Sequence, residues 1–159
     1  MTATHSQNRP LTDHELAAWR GMLEVHARVT QELDAQMRAE HGLSASAYEV
    51  LMFLDDAPEH RMRMSDIADR VLLSRSGCTR LIDRLVDQGY VTRCAATCDR
   101  RGLYAELTDA GLEKITAARV THWEGIRRFF LDDLTATDLI ALGDIWTRFR
   151  AHRDDRRQP

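Results

Sequence analysis

Two short helical patterns stand almost end to end within residues 64–90. The first covers residues 66–72, about two turns, and its apolar residues recur at the spacing of one helix face. Ser74 then offers an N-cap for a second helix over residues 75–88, and Gly89 follows where helices often end. This stretch therefore restricts the chain to folds in which two helices meet through a tight turn.

The second of these helices has an apolar face and a polar face. The apolar stripe, predicted to be buried, consists of Cys78, Leu81, Ile82, Leu85 and Val86. The outward set consists of Arg75, Ser76, Thr79, Arg80, Asp83 and Arg84. The preceding short helix, with Ser65 as its predicted N-cap, faces inward through Ile67, Ala68 and Val71. An outer face rich in arginine and hydroxyl groups is either an ordinary solvated surface or a surface that contacts a polyanion.

The hydrophobic pattern changes from the helical period to strict alternation after this helix. Alternation predicts two strands, at residues 90–94 and 103–107, and the residues between them form the tip of a hairpin. The tip contains the sequence CDRRG, in which Asp99, Arg100 and Arg101 are adjacent. The order of helix, tight turn, helix and basic hairpin is that of a winged helix-turn-helix.

The charge of the chain is distributed unevenly along it. Residues 61–101 carry nine Arg and five Asp, a net charge of +4, within a chain whose total is −3. The remaining residues carry 13 basic and 20 acidic side chains, a net charge of −7. Because affinity for nucleic acid depends on local charge, a basic central segment is compatible with binding DNA despite the acidic total.

The candidate DNA contacts follow from these patterns. The major groove of B-DNA accepts one helix, whose outer side chains meet base edges and phosphates. The candidates on the two helices are Ser65, Ser74, Arg75, Ser76, Thr79, Arg80 and Arg84. The hairpin tip adds Arg100 and Arg101, which we expect in the neighbouring minor groove.

Long helical patterns flank this central segment. Thr12 and Glu15 form a capping box, and the helix that follows continues to Gly42. Ser44 caps the next helix, which Pro58 ends. After the hairpin, a helix capped by Thr108 runs to about Leu131, and a last helix spans residues 136–151.

The bulk composition points to an ordinary globular protein. The chain has 159 residues, about one domain, of which 43% are hydrophobic and 30% charged, and no apolar run approaches the ~18 residues of a membrane span. Its polar N-terminus lacks an apolar signal core, so we expect a cytoplasmic protein with reduced cysteines. No phosphate loop, catalytic triad or paired-carboxylate motif is present, so neither an enzyme nor a cofactor is expected.

With these motifs the chain resembles the MarR family of transcription regulators over essentially its whole length. The matching stretches are SDIADRVLLSRSGCTRLIDRLVDQGYVTR and DRRGLYAELTDAG. The resemblance implies that Asp99 orients an arginine of the wing and that Arg101 enters the minor groove. It also implies a sequence-specific DNA-binding regulator, usually a repressor.

The resemblance further implies a homodimer formed by the first and the last two helices, which would recognise a pseudo-palindromic operator. The aromatic residues of these helices agree with that expectation, although an ordinary single-chain core would account for them too: Trp19, Trp123, Phe129, Phe130, Trp146 and Phe149. We therefore predict a mainly α fold with a small β-hairpin wing, divided into a flexible arm (1–11), a dimerisation helix (12–42), a winged helix-turn-helix lobe (44–108), C-terminal dimerisation helices (109–152) and a flexible tail (153–159).

Members of this family often carry a small-molecule pocket between the dimer helices and the DNA-binding lobe. A ligand there would favour one conformation and so change DNA affinity. The candidate lining residues are Trp19, His26, Tyr48, Met52, Arg119, His122 and Trp123. The resemblance implies a phenol-like or aromatic ligand.

Other functions remain open at this stage. A winged helix can serve as a protein–protein interaction module, although its basic tip and reading-helix arginines favour DNA. Cys94 and Cys98 could form a redox-sensitive disulfide near the wing, but their C-x-x-x-C spacing does not match a zinc site. His122 alone resembles a metal ligand of zinc-sensing relatives, so no metal site is predicted.

Overall fold

The computed structural model describes residues 9–71, 73–95 and 103–155. The strands are β1 (Arg61–Arg63), β2 (Val91–Ala95) and β3 (Leu103–Leu107). The helices are α1 (Asp13–His41), α2 (Ala45–Asp55), α3 (Met64–Arg70), α4 (Arg75–Asp87), α5 (Asp109–Ile126) and α6 (Ala136–Asp155). A 3₁₀ turn (Pro58–His60) precedes β1, and a π-helical turn (Arg127–Leu131) follows α5. The predicted fold class, mainly α with a small β wing, is confirmed.

Both predicted ends of the first helix, α1, are confirmed. The hydroxyl of Thr12 accepts a hydrogen bond from the backbone N–H of Glu15 at 3.3 Å. The Glu15 carboxylate in turn accepts from the backbone N–H of Thr12 at 2.8 Å, which completes the capping box. At the other end, Gly42 adopts the left-handed conformation at φ +66°, which a residue without a side chain adopts at little cost.

The connection from α2 to β1 is a tight turn. The Ser44 hydroxyl caps α2 by accepting from the backbone N–H of Ala47 at 3.1 Å, as predicted. The helix ends at Asp55, shortly before Pro58. Glu59 and His60 then take positive φ angles of 55° and 52°, which are uncommon for residues with side chains. This strained turn directs the chain into β1.

The short helix α3 begins two residues earlier than the sequence predicts. Its N-cap is Arg63, whose side chain makes no capping hydrogen bond, so the predicted N-cap role of Ser65 is wrong. The Ser65 hydroxyl lies in the first turn and donates to the Asp66 carboxylate at 3.0 Å. The shift arises because β1, which was not predicted, leads directly into the helix. The predicted last residue, Leu72, lies outside the described residues.

The second helix of the central pair, α4, matches its prediction closely. The Ser74 hydroxyl accepts from the backbone N–H of Gly77 at 3.1 Å, and Gly89 follows the helix at φ +76°. The stripe that is buried consists of Cys78, Leu81, Ile82 and Leu85, while Val86 is partly buried. Ile67, Ala68 and Val71 are buried opposite this stripe, as predicted.

The wing belongs to a sheet of three antiparallel strands in the order β1–β3–β2. The hairpin of β2 and β3 was predicted, and Arg93 pairs with Ala105 across it. On the other side of β3, Met62 of β1 also pairs with Ala105, which is fully buried. The central position of β3 fixes the base of the wing against the core.

Thr108 joins the start of α5 to the end of α4. Its hydroxyl accepts from the backbone N–H of Gly111 at 3.0 Å and donates to the Gly89 carbonyl at 2.7 Å. The last helix, α6, continues to Asp155, beyond the predicted end. Although α1 and α6 are long, no helix within the described ranges has an apolar stretch that could cross a membrane.

The core lies where the C-terminal end of α1 and the middle of α5 meet the central lobe. The largest fully buried side chains are Met37, Leu43, Val50, Leu51, Leu54, Ile67, Cys78, Ile82, Leu85, Val91 and Ile115. Helix α6 contributes no buried residue within residues 136–151. The core therefore holds α4 in place, while the first half of α1 and residues 136–151 of α6 stay largely exposed.

Candidate nucleic-acid interface

The outer face of α4 presents its polar residues to solvent. Every member of the predicted outward set is exposed: Arg75, Ser76, Thr79, Arg80, Asp83 and Arg84. Ser74, at the start of the helix, is exposed too, and its hydroxyl lies 3.2 Å from that of Ser76. The hydroxyl of Thr79 donates to the carbonyl of Arg75 at 3.0 Å. The helix thus offers short hydroxyl side chains between longer arginines.

An ion pair offsets the charge of Asp83, the acidic member of the outward set. Arg93 of β2 lies 2.8 Å from the carboxylate of Asp83 and also donates to the Thr79 carbonyl at 3.3 Å. Arg80 and Arg84 make no ion pair with a described residue, so their charges are available to a partner. The exposed face of α4 is therefore positively charged overall.

Sequence reasoning missed Arg93, although a signal was present. Residues two apart in a strand point to the same side. Val91 is an apolar strand residue that is buried, so Arg93 could have been expected to point in the same direction, towards α4. Through this side chain the base of the wing contacts the helix directly.

A groove lined mostly by polar and charged residues runs beside α4, between it and the junction of α1 and α2. The groove has a volume of about 700 Å³, and Arg80 and Arg84 form part of its wall. On the opposite wall, Asp34 lies 2.6 Å from Arg38 and accepts from the backbone N–H of Ala45 at 2.7 Å. The hydrogen bond from Arg38, followed by that from Ala45, lowers the pKa of the Asp34 carboxyl. These contacts fix the start of α2 next to the arginine face.

The unpredicted strand β1 contributes two more arginines. The Nε of Arg63 donates to the hydroxyl of Tyr104 at 2.9 Å, and its guanidinium lies 5.4 Å from the centre of that ring. The guanidinium of Arg61 lies 5.9 Å from the same centre. Both arginines are exposed, and the charge of Arg61 is offset by an ion pair with Glu59 at 2.5 Å.

The thiol near the wing is poorly suited to redox chemistry. The Sγ of Cys94 lies 3.4 Å from a carboxylate oxygen of Glu106. Burial, together with that hydrogen bond, raises the pKa of the Cys94 thiol, so the reactive thiolate is disfavoured. The other half of the predicted pair, Cys98, lies outside the described residues. So do the wing candidates Asp99, Arg100 and Arg101.

The candidate ligand-pocket residues divide into two groups. Tyr48, Met52 and His122 line a cavity of about 190 Å³ between α1, α2 and α5. The rings of Tyr48 and His122 stack with their centres 4.4 Å apart. Arg119 does not line the cavity and instead forms a 2.6 Å ion pair with Asp55. Trp19, His26 and Trp123 are exposed and do not line it either. In the described part of the chain no cluster of three or more His, Cys, Asp or Glu side chains is arranged to hold a metal ion.

The order of α2, α3 and α4 followed by the β2–β3 hairpin, with exposed arginines on α4, defines a winged helix-turn-helix protein. The sequence model described as MarR family matches residues 41–102. AbsC, a MarR family transcriptional regulator from Streptomyces coelicolor, is 36% identical, with coverage of 93% of this chain and 99% of that chain and a TM-score of 0.83. The chain belongs to the MarR family of transcriptional regulators.

Two further relatives agree. Sco3205, a MarR family regulator from Streptomyces coelicolor solved in complex with DNA, is 30% identical, with coverage of 97% of this chain and 94% of that chain and a TM-score of 0.84. The HTH-type transcriptional repressor YetL of Bacillus subtilis is 29% identical over 119 residues, which are 73% of this chain and 71% of YetL. The chain is thus a winged-helix transcription regulator, as its sequence motifs predict.

Proposed function

We propose that the protein acts as a homodimer that binds a pseudo-palindromic operator through α4 and the wing, represses transcription there, and responds to a small ligand. The observation that carries the DNA-binding part is the exposed arginine pair of α4, which forms no ion pair with any described residue. Arg80 and Arg84 project from a helix held by a buried stripe, while Asp83 is neutralised by Arg93. A rigid cationic helix with short hydroxyl side chains suits base edges and phosphates of the major groove.

The other proposed contacts surround this pair. Ser74, Arg75, Ser76 and Thr79 would contact phosphates or base edges from the first half of α4, and Ser65 would do so from the first turn of α3. Arg100 and Arg101 would enter the minor groove, with Asp99 orienting one of them. Sco3205, which was solved in complex with DNA, supports this arrangement by its similarity over nearly the whole chain.

Exposed apolar side chains support the homodimer. Trp19, Met22, Leu23 and Val25 of α1, Val120 and Trp123 of α5, and Leu139, Ile140, Trp146 and Phe149 of α6 are all exposed in the single chain. A set of large apolar residues on three helices is typical of a surface that another protein covers. A second copy of the chain would bury it and bring two α4 helices to neighbouring half-sites.

The cavity at the junction of α1, α2 and α5 supports control by a small molecule. A ligand there would contact both the dimer helices and the lobe that carries α4, and it could shift the separation of the two reading helices. Repression is proposed because YetL is a transcriptional repressor. A chromosomal operator would place the protein in the cytoplasm.

Fluorescence anisotropy tests the DNA-binding part. A labelled duplex from the intergenic region upstream of the protein's own gene is titrated with wild type, Arg80→Ala and, as the control, Arg20→Ala, an exposed arginine of α1. We expect a preference for this duplex over a shuffled one, an affinity that falls steeply with salt, and a loss of about tenfold or more for Arg80→Ala alone. Equal affinity for both duplexes, or no dependence on salt, would contradict the proposal.

Light scattering after size exclusion tests the homodimer. Wild type should have twice the mass of the chain. Phe149→Asp on α6 should weaken association, because Phe149 is 65% exposed in the single chain and a charge would be buried between the copies. Leu103→Asp, the matched change at a 55% exposed apolar residue of β3, should leave the mass unchanged. A wild type that is monomeric at micromolar concentration contradicts the homodimer.

A further inference from the structure

The cavity between α1, α2 and α5 is small and mainly apolar. Its wall includes Thr30 and Leu33 of α1, Tyr48, Glu49 and Met52 of α2, and His122 of α5. Its volume of about 190 Å³ lies below the range of roughly 300–1,000 Å³ typical of pockets for drug-sized ligands. An occupant must therefore be little larger than one ring with a short substituent.

Glu49 gives this cavity a negative charge without a partner. Its side chain is partly buried and makes no hydrogen bond or ion pair with any described residue. Burial raises the pKa of the Glu49 carboxyl, since the surrounding apolar groups replace water that would solvate the charge. A carboxylate held in this way gains stability from any cation that enters the cavity.

No side chain of the cavity wall supplies the opposite charge. Arg119 of α5 lies outside the wall and interacts with the hydroxyl of Tyr48, but its charge is engaged by Asp55 at 2.6 Å and by Asp56 at 3.7 Å. His122 is stacked on Tyr48, and burial lowers the pKa of its imidazole, so its neutral form is favoured. The wall therefore presents one carboxylate beside two aromatic rings.

We propose that this cavity binds a small aromatic ammonium compound, with Glu49 as its counter-charge and the Tyr48 and His122 rings beside its own ring. The inference rests on the proposed control by a small ligand. It assigns that ligand a positive charge, whereas the family resemblance alone suggests a phenol-like compound. An anionic ring compound would meet the Glu49 carboxylate with no Lys or Arg in the described cavity wall and with Arg119 already paired to Asp55, which is unfavourable at short distance. An ammonium group would instead form a charge-assisted hydrogen bond and favourable contacts with the aromatic faces.

Binding would act on the junction between α1, α5 and α2. Glu49 and Met52 lie on α2, which packs in the lobe that carries α4, whereas Thr30 and Leu33 lie on α1. An occupant in contact with both helices stabilises the spacing that fits it. The ammonium compound is thus a regulator whose effect reaches DNA through the position of α2.

Isothermal titration with three probes of one ring size tests the proposal. Benzylamine is the cation, benzoate the anion and benzyl alcohol the neutral compound, each titrated into the full-length protein at neutral pH. Benzylamine should bind more tightly than benzoate by about tenfold or more, as expected for one charge-assisted hydrogen bond. Tighter binding of benzoate, or binding of no probe at millimolar concentration, overturns the proposal.

Three variants, one of them a control, identify the residue responsible. Glu49→Gln keeps the shape but removes the charge, and it should weaken benzylamine by about tenfold while improving benzoate. Glu113→Gln, the same change on the exposed side of α5, should alter neither affinity. Met52→Trp fills the cavity and should abolish binding of benzylamine with Glu49 still present, which keeps the test valid if Glu49→Gln folds poorly. If Glu49→Gln and Met52→Trp both leave the benzylamine affinity unchanged, the cavity is not the binding site.

DNA binding is measured on the same samples by anisotropy. A protein that binds its upstream duplex but not benzylamine contradicts only the cavity proposal. A protein that binds benzylamine through Glu49 but shows no preference for that duplex contradicts only the DNA-binding proposal.

Discussion

The guanidinium of Arg119 lies 2.6 Å from the carboxylate of Asp55 and thereby joins the middle of α5 to the last residue of α2. Both side chains are largely buried, with exposures of 28% and 15%. Asp56 lies 3.7 Å from the same guanidinium, and the imidazole of His60 lies 3.6 Å from Asp55. Arg119 thus compensates the charges of Asp55 and Asp56 at the C-terminal end of α2, the first helix of the winged lobe.

Arg119→Met should destabilise the protein, because the variant leaves the largely buried Asp55 carboxylate without its cation. We expect a loss of about 1–3 kcal/mol in the free energy of unfolding, measured by urea denaturation. Arg28→Met is the control, since Arg28 is 62% exposed and lies 4.0 Å from Asp133. It should leave the urea midpoint nearly unchanged.

A double-mutant cycle separates the ion pair from the packing of the arginine stem. Asp55→Asn removes the charge of the partner, so Arg119→Met should cost less in that background than in wild type. Equal costs in the two backgrounds would show that Arg119 stabilises the junction through its aliphatic stem alone.

Gly111→Ala should be among the most damaging small substitutions in this chain. A Cβ at this position would lie 2.1 Å from the carbonyl oxygen of Tyr90 and 2.9 Å from a methyl carbon of Leu107. Since the first obstacle is backbone, α5 would have to move away from the end of α4, at a cost of about 3 kcal/mol or more. Thermal or urea unfolding measures the loss.

Gly143→Ala is the matched control for this substitution. It lies within α6, and in the single chain an added Cβ would meet nothing within 4 Å. Alanine in a helix interior should therefore stabilise α6, by about 0.5–1 kcal/mol. A Gly111→Ala variant as stable as Gly143→Ala would contradict the close approach of α5 to Tyr90.

Local signals account for the parts of the fold that could be predicted from the sequence. The caps at Thr12, Ser44, Ser74 and Thr108 depend on a hydroxyl and a backbone N–H three residues later, so they are visible in a short window. The buried stripe of α4 is likewise a matter of helical period. Strand β1 could not be predicted, because three residues show no periodicity and pair with β3 more than 40 residues later.

The site was predictable in part for the same reason. The exposure of Arg80 and Arg84 follows from the helical period of α4, and all members of the outward set are exposed. The ion pairs of Arg93 with Asp83 and of Arg119 with Asp55 depend on how strands and helices pack, which no local pattern specifies. Glu49 was not recognised as a cavity residue, since a single acidic residue in a helix normally faces solvent.

His122 should make the stability of the protein depend on pH. Burial lowers the pKa of its imidazole below the ordinary value of 6.5. The unfolded chain therefore binds more protons than the folded chain below pH 6.5. The free energy of unfolding should consequently fall as the pH drops from 6.5 through the folded-state pKa, whereas above pH 6.5 His122 causes no loss of stability. Glu49, in the same cavity, acts in the opposite sense, because its raised pKa makes the folded chain bind the extra proton above 4.5. Urea unfolding between pH 5 and 8 is therefore compared for the single variant Glu49→Gln and for the double variant Glu49→Gln/His122→Gln. Just below pH 6.5, the free energy of unfolding should depend less steeply on pH in the double variant. NMR titration of the His122 ring measures the pKa of its imidazole independently. A midpoint at or above pH 6.5 would contradict the burial of this ring against Tyr48.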